Sequence, residues 1–418
     1  MELRKGYKLS EIGSIPEDWE ITTLSDLVDS NRTIRYGIVQ PGKFEPEGRY
    51  MVRGQDYSFG WADPYDFFRV TALVEERYKN ARLKGGDLII TIVGAGTGHF
   101  EIVPDWLDGA NMTQTTARIA IDKSKADSKF CKYYFQSAAG KRQISVYIKG
   151  AAQPGLNVGD VKIFRLPLPP TKSEQTAIAN ALSDADALIS SLEKLIEKKR
   201  NIKQGAMQQL LKPKKGWEFL PLHKVVWYQE GPGVRNHQFT KNGVKLLNGT
   251  NIEKGKLLLD KTERYISEHE AFGWYSHFLA DDGDIIIACS GVTINKFDEK
   301  VTFVKKKHLP LCMNTSTMRF KIISDNLDIH FFFHFLKSDS FKEQIGGKAT
   351  GSAQLNFGPS HVQNVQIALP KKTEQKEIAT ILSEMDNEII SLEKKLSKSK
   401  MLKQGMMQEL LTGKIRLV

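Results

Sequence analysis

The stretch PTKSEQTAIANALSDADALISSLEKLIEKKRNIKQGAMQQLL, residues 170–211, is written a second time as PKKTEQKEIATILSEMDNEIISLEKKLSKSKMLKQGMMQELL at 370–411. The two copies align at an offset of 200 without a gap, and 22 of their 42 positions are identical. Chance does not produce such a match, so the chain carries an internal duplication. Each copy reads as one long helix. In the second, Ile378, Leu382, Met385, Ile389, Leu392 and Leu396 alternate four and three apart, the spacing of a coiled-coil seam, and Leu402, Met406 and Leu410 continue it after a slip. The first repeats the pattern with Ile178, Leu182, Ala185, Ile189, Leu192 and Ile196. Each seam needs a partner, and the other copy supplies it.

The repetition extends outward in weaker form. Trp19-Glu20 returns as Trp217-Glu218, Gly86-Asp87 before an apolar run as Gly283-Asp284, and Ala152-Gln153 as Ala353-Gln354. Each unit is therefore a variable lobe of about 165 residues followed by a near-constant tail. Thr171 with Glu174 predicts a capping box at the first helix start; Lys371 stands at the matching place in the second copy, so that cap is expected at Thr373. Pro213 with Gly216 and then Gly413 end the helices. About 40 residues of helix span ~60 Å.

Connectivity predicts that the second helix returns antiparallel along the first, with one lobe at each end and a pseudo-two-fold axis between. The fold class expected is α+β: two similar mixed α/β lobes separated by a long helix pair. The segments are lobe 1 over 1–168, helix over 169–213, lobe 2 over 214–368 and helix over 369–418. Apolar runs at 87–93 and 284–288 read as strands, and 128–148 and 328–345 as one surface helix each.

Composition agrees with folded domains. The chain has 418 residues, 40% of them apolar, and Lys plus Arg exceeds Asp plus Glu by 60 to 49, a formal charge of +11. A basic balance favours a polyanion, because neutralised phosphates release counterions. No run approaches the ~20 apolar residues of a membrane span, and the opening residues lack a signal-peptide core. A cytoplasmic protein is expected, without membrane contact. Cys131, Cys289 and Cys312 are too scattered for a disulfide framework or a cysteine-built metal site.

Several stretches together resemble the specificity-subunit family of type I restriction-modification systems over essentially the whole chain. They are Ile15-Pro16-Glu17-Asp18-Trp19 followed by Leu24; Gly86-Asp87-Leu88-Ile89; Tyr133-Tyr134 with Ser137; Gly150 with Gln153, Leu156 and Asn157; Pro169-Pro170 with Glu174-Gln175; and the run from Leu402-Lys403-Gln404-Gly405 to Thr412-Gly413. The resemblance implies two target recognition domains, each reading half of an interrupted asymmetric site on double-stranded DNA, with the paired helices as spacer. It also implies partners: two adenine-methylating subunits and, for cleavage, motor-nuclease subunits. S-adenosylmethionine, ATP and Mg are then expected on those partners, with no cofactor, metal or catalytic residue on this chain. The sequence departs from the family at Lys172 and Ser173, where an apolar residue is common, and has the single Pro370 in the second copy.

Side chains that fork onto base edges are Arg, Lys, Asn and Gln, with Ser and Thr less selective. Loops rich in them give the DNA-binding candidates Arg32, Arg35, Tyr36, Arg53, Gln55, Ser58, Asn111, Thr113, Gln114, Gln153 and Asn157 in the first lobe. In the second they are Arg235, Asn236, His237, Asn248, Thr250, Asn251, Thr293, Asn295, Lys296, Asn314, Thr315, Ser352, Gln354 and Asn356. Such residues also build turns wherever turns occur. Gln153 and Gln354 are equivalent in the two copies, so they suit loop support or backbone contact better than the reading of two different sequences.

Other motifs receive plainer readings. Gly94-Ala95-Gly96-Thr97-Gly98 follows a strand, but a nucleotide-binding loop must open a helix; the continuation 99–104 reads as a strand, so a hairpin is expected. Asp63-Pro64-Tyr65 lacks a proline of the methyltransferase base-holding loop and reads as a turn. His330 and His334 have a permissible metal spacing but read as packed or solvated. The basic groups 198–200 and 212–215 read as solvated helix faces, with phosphate contact as the alternative. Two competing functions are a self-contained DNA methyltransferase and an architectural tether without base specificity.

Overall fold

The computed structural model describes residues 5–346 and 354–417. It divides into two compact units, 1–193 with 394–418 and 194–393, whose boundaries fall inside the long helices. Each unit holds one lobe, the adjoining part of its own helix and a part of the other helix.

In the first unit a four-stranded antiparallel sheet has the spatial order Arg35–Tyr36, Thr116–Ile119, Leu88–Thr91, Phe100–Ile102. A three-stranded sheet orders Phe68–Val70, Arg49–Val52 and Asn111–Met112, the last two parallel. Glu20–Thr23 pairs with Arg165–Leu168, tying the start of the lobe to its end. The strand over Leu88–Thr91 is buried on both faces. Strand alternation explains how: Leu88 and Ile90 enter a core with Phe130, Tyr134 and Phe164, while Ile89 enters another with Val52, Tyr57 and Phe67.

The second unit repeats this plan. Its four strands are Val226–Glu230, Thr317–Ile322, Ile285–Ala288 and Val301–Phe303, its three are Tyr265–Ile266, Val244–Leu247 and Leu311–Met313, and Glu218–Pro221 pairs with Gln366–Leu369. Strand order and sense match throughout, so the two lobes share a fold. Trp19 meets Phe130 edge-on at 6.4 Å and Trp217 meets Phe331 at 6.3 Å, which gives the recurring tryptophan a packing role.

Two helices stand where one surface helix was expected over 128–148 and again over 328–345. They are Ser128–Gln136 and Ala138–Tyr147, then Ile329–Leu336 and Asp339–Gln344. The break falls at a serine in each case: Ser137 Oγ accepts from Gly140 N and Ser338 Oγ from Phe341 N, both at 3.2 Å, an N-cap that restarts the helix. The first helix of each pair is not a surface helix, since Phe130, Cys131, Phe135, Phe331, Phe332 and Phe335 are core residues, whereas Ala138–Tyr147 and Asp339–Gln344 do lie largely on the surface.

The long helices span Lys172–Leu210 and Lys372–Leu410. Thr373 is therefore inside the second helix and not its cap. The reason lies in the buried glutamines of the Glu-Gln pairs. Gln175 Nε2 donates to Pro169 O at 3.1 Å while its Oε1 accepts from Asp127 N at 2.9 Å; Gln375 donates to Pro370 O at 2.9 Å and accepts from Asp328 N at 2.8 Å. The glutamine fixes the same starting register with or without a capping threonine. At Thr171 only half of the box forms as drawn: Glu174 N donates to Thr171 Oγ1 at 3.3 Å, and the Glu174 carboxylate instead takes Arg416.

Within each unit the helix segments pair antiparallel. In the first, Asp186 meets Lys403 at 2.6 Å and Glu193 meets Lys400 at 2.7 Å; in the second, Asp386 meets Lys203 at 2.5 Å and Glu393 meets Arg200 at 2.6 Å. These are the same two pairs, offset by 200. Ile178, Leu182, Leu192, Ile196, Ile378, Leu382 and Ile389 are buried as the seam requires. Leu402 is not in it: at 61% exposure it faces outward, and Lys403 takes the inward place on Asp186.

Candidate nucleic-acid interface

In each unit four stretches meet at one end of the four-stranded sheet. In the first, Ile92 N donates to Thr115 O and Leu156 N to Ile92 O, both at 2.8 Å, and Gly94 N donates to Pro154 O at 2.9 Å. Tyr57 Oη and Thr91 Oγ1 lie 2.6 Å apart. Residues 53–58, 91–98, 113–116 and 153–157 are thereby joined. Gly54 is held so close to Thr91 that a Cβ would stand 3.1 Å from its methyl.

The second unit builds the same junction from different side chains. Cys289 N donates to Ser316 O and Phe357 N to Cys289 O, both at 2.9 Å. Thr293 pairs with Gln354 in a short ladder, and Asn356 Oδ1 accepts from Gly291 N at 2.8 Å and Ser290 Oγ at 3.0 Å. Gly249 N donates to Ser316 Oγ at 2.9 Å, and a Cβ on Gly249 would lie 3.0 Å from that of Ala288. The close turn-to-strand approach explains a glycine in both lobes.

The predicted residues divide by what holds them. Gln55, Gln114, Gln153 and Asn157 are exposed at the first junction, as are Thr250, Asn295, Lys296, Thr315, Gln354 and Asn356 at or beside the second. Ser58, Thr113, Asn248 and Thr293 are half-buried there; Ser58 Oγ donates to Gly54 O at 2.5 Å, and Thr113 Oγ1 shares a hydrogen bond with Thr115. Ser352 lies outside the described residues.

Other candidates are structural supports. Asn111 has 0% exposure and donates to Glu75 and Tyr78 O, so its amide has no path to a base. Asn251 caps its own turn through Asn248 N at 2.9 Å, and Asn314 Nδ2 donates to Asn248 Oδ1 at 2.9 Å; both are buried. Arg53 grips Asp56, and Arg32 is clamped on Asp87 by two bonds of 2.6 and 2.7 Å. Asp87 precedes the strand whose far end forms the junction, so Arg32 is at the wrong end of the sheet. Arg35 and Tyr36 are exposed on the edge strand, with Gly37 N reaching Thr113 O. The turn with Arg235, Asn236 and His237 is exposed and is held through Gln238 to Glu270 and Tyr275. Sequence reasoning missed Thr97 and Ser290, which bond into the junctions; both lie a few residues past the repeated Gly-Asp strand, a signal that could have found them.

A buried arginine crosses each sheet. Arg118 donates to Asn80 O, Arg82 O and Thr33 O at 2.9–3.0 Å, and burial lowers its guanidinium to about 10. Arg319, matching it in register, holds Leu279 O and His277 O and reaches Asp284. Both rivet loop carbonyls to the sheet.

The 94–98 loop joins two antiparallel strands as a hairpin and opens no helix. Asp63 Oδ1 accepts from Tyr65 N at 3.0 Å in a turn, as expected. His334 is buried with Nε2 3.1 Å from Ser383 Oγ, whereas His330 is exposed against Phe303. Burial pushes the Cys289 and Cys312 thiols up to about 12 and raises Cys131 as well, far from a reactive thiolate. In the basic groups Lys199, Arg200 and Lys214 pair with Glu388, Glu393 and Glu374, which makes the first two part of the helix pairing and ties the third, past the first helix, to the start of the second.

Fold and site together define a duplicated protein with two loop-bearing lobes and an antiparallel pairing of long helices in each unit. The type I restriction modification DNA specificity domain matches twice, over 16–204 and 214–399, and the chain belongs to that family. It is 28% identical to the type I restriction enzyme MjaVIII specificity subunit of Methanocaldococcus jannaschii over 96% of this chain and 94% of that one. It is 26% identical to the putative MjaX specificity subunit of the same organism, over 99% and 97%. Its fold resembles the S subunit of a type I restriction-modification system from M. genitalium, with TM-score 0.58, 16% identity and 98% of each chain covered.

Proposed function

We propose that the chain is the specificity subunit of a type I restriction-modification complex, reading a bipartite asymmetric DNA target and directing adenine methylation and cleavage by other subunits. The observation that carries this reading is one junction frame built twice with different polar side chains. Gln55 and Thr250 stand on equivalent turns, and Gln114 and Thr315 on equivalent strand approaches. A shared frame with changed readers suits two unlike half-sites, whereas Gln153 and Gln354, unchanged, suit backbone contact or loop support.

In this reading the chain has no catalytic role. Its partners are double-stranded DNA, two methylating subunits docked on the helix pair and motor-nuclease subunits for cleavage, with S-adenosylmethionine, ATP and Mg held by those partners. Its place is the cytoplasm. Selection from a random duplex pool tests the proposal: a two-part consensus with a fixed gap is expected. A flat profile contradicts it and favours an architectural tether. Heat on titrating the isolated chain with S-adenosylmethionine would contradict the division of labour and favour a self-contained methyltransferase.

A further inference from the structure

The turn that carries Gln55 leads to a side chain that packing does not explain. Phe59 is fully exposed, at 104%, and forfeits the free energy that burying its ring would bring. Its mounting is stiff. Tyr57 is buried with its hydroxyl on Thr91, Ser58 Oγ is bonded to Gly54 O, Ala62 N donates to Asp56 O at 2.8 Å, and Gly60, at φ +98°, reverses the chain. A ring held this way is displayed on a rigid turn anchored to the junction.

The surroundings select the partner. A protein-docking surface is a contiguous apolar patch, but Phe59 is flanked by Ser58 and Gly60, and nothing lies within 4 Å of where a Gly60 Cβ would be. A lone ring with small neighbours fits a slot about one ring thick, which is what a base step offers to a wedge residue. In the second unit the matching turn leads into the hairpin of Ile252–Glu253 and Lys256–Leu257, with Lys254 and Gly255 at its tip. There a cation stands in place of the ring.

We infer that Phe59 is a wedge that unstacks one base step in the half-site read by the first lobe, and that the second lobe has no wedge at the matching turn. The inference rests on the proposed function. The test uses the full chain and the duplex it selects from a random pool, with 2-aminopurine substituted at successive positions to report lost stacking. A severalfold rise in emission is expected at one step in the first lobe's half-site and none in the other half. Phe59→Ala should abolish the rise and weaken binding about tenfold, with an unchanged circular dichroism spectrum, and Phe59→Trp should restore both. A bound duplex with no rise, or a rise that survives Phe59→Ala, overturns the wedge while leaving the proposed function standing. Unchanged DNA binding by Phe59→Ala with weakened assembly onto a methylating subunit also overturns it, assigning the ring to a protein contact. Failure to select any two-part site overturns the proposed function itself.

Discussion

His334 and Tyr133 occupy matching positions on matching helices, and they meet the long helix differently. Tyr133 Oη donates to Asp186 at 2.9 Å, whereas His334, 1% exposed, is held neutral by burial, its pKa pulled from 6.5 to about 3. Asp386 opposes that shift, and Lys337, Lys203 and His330 add to it. Because the unfolded histidine takes up a proton near pH 6.5 and the folded one does not, stability is lost as pH falls below 6.5, by up to about 1.4 kcal/mol per unit. The second unit should therefore unfold more readily at pH 5 than at pH 7 in denaturant titrations. His334→Gln should flatten that dependence, and an unaltered slope would refute the assignment. Histidine spacing alone could not reveal this, since exposure differs between His330 and His334 only once the helix is packed. The same holds for the site: Gln55 and Asn111 look alike as loop polars, and only burial separates a candidate reader from a support.

At the scale of elements, the duplication made the long helices legible. Twenty-two identities in an ungapped stretch and a seam at Ile178, Leu182, Leu192 and Ile196 are strong periodic signals. What escaped was local competition. Ser137 and Ser338 break helices whose apolar pattern runs on, and Gln375 overrides Thr373 through tertiary bonds that no window of sequence contains. Hydrophobicity alone places Leu402 inward, yet the Asp186–Lys403 pair takes that side. The mirrored pair Lys203–Asp386 is only 12% and 26% exposed, so a double-mutant cycle with Lys203→Ala and Asp386→Ala should give a coupling of about 1–2 kcal/mol. Lys400 with Glu193, at 54% and 49% exposure, should couple by less than about 0.5 kcal/mol. Equal couplings would mean that burial does not rank these bridges.

For the whole molecule, the shared strand order of the two lobes is the structural counterpart of the repeat in the sequence. The lobes conserve what builds the frame, such as Gly54 with Gly249 and Arg118 with Arg319, and vary what stands on it. In the proposed function, which bases those side chains would meet depends on loop geometry against a duplex, which the sequence does not encode in any readable way. If each lobe reads its own half-site, exchanging residues 220–365 for the corresponding lobe of another family member has one defined outcome. Selection from random duplexes by the exchanged chain should return a two-part site with one half changed, the other half and the gap preserved. A consensus altered in both halves, or in neither, would contradict that separate reading.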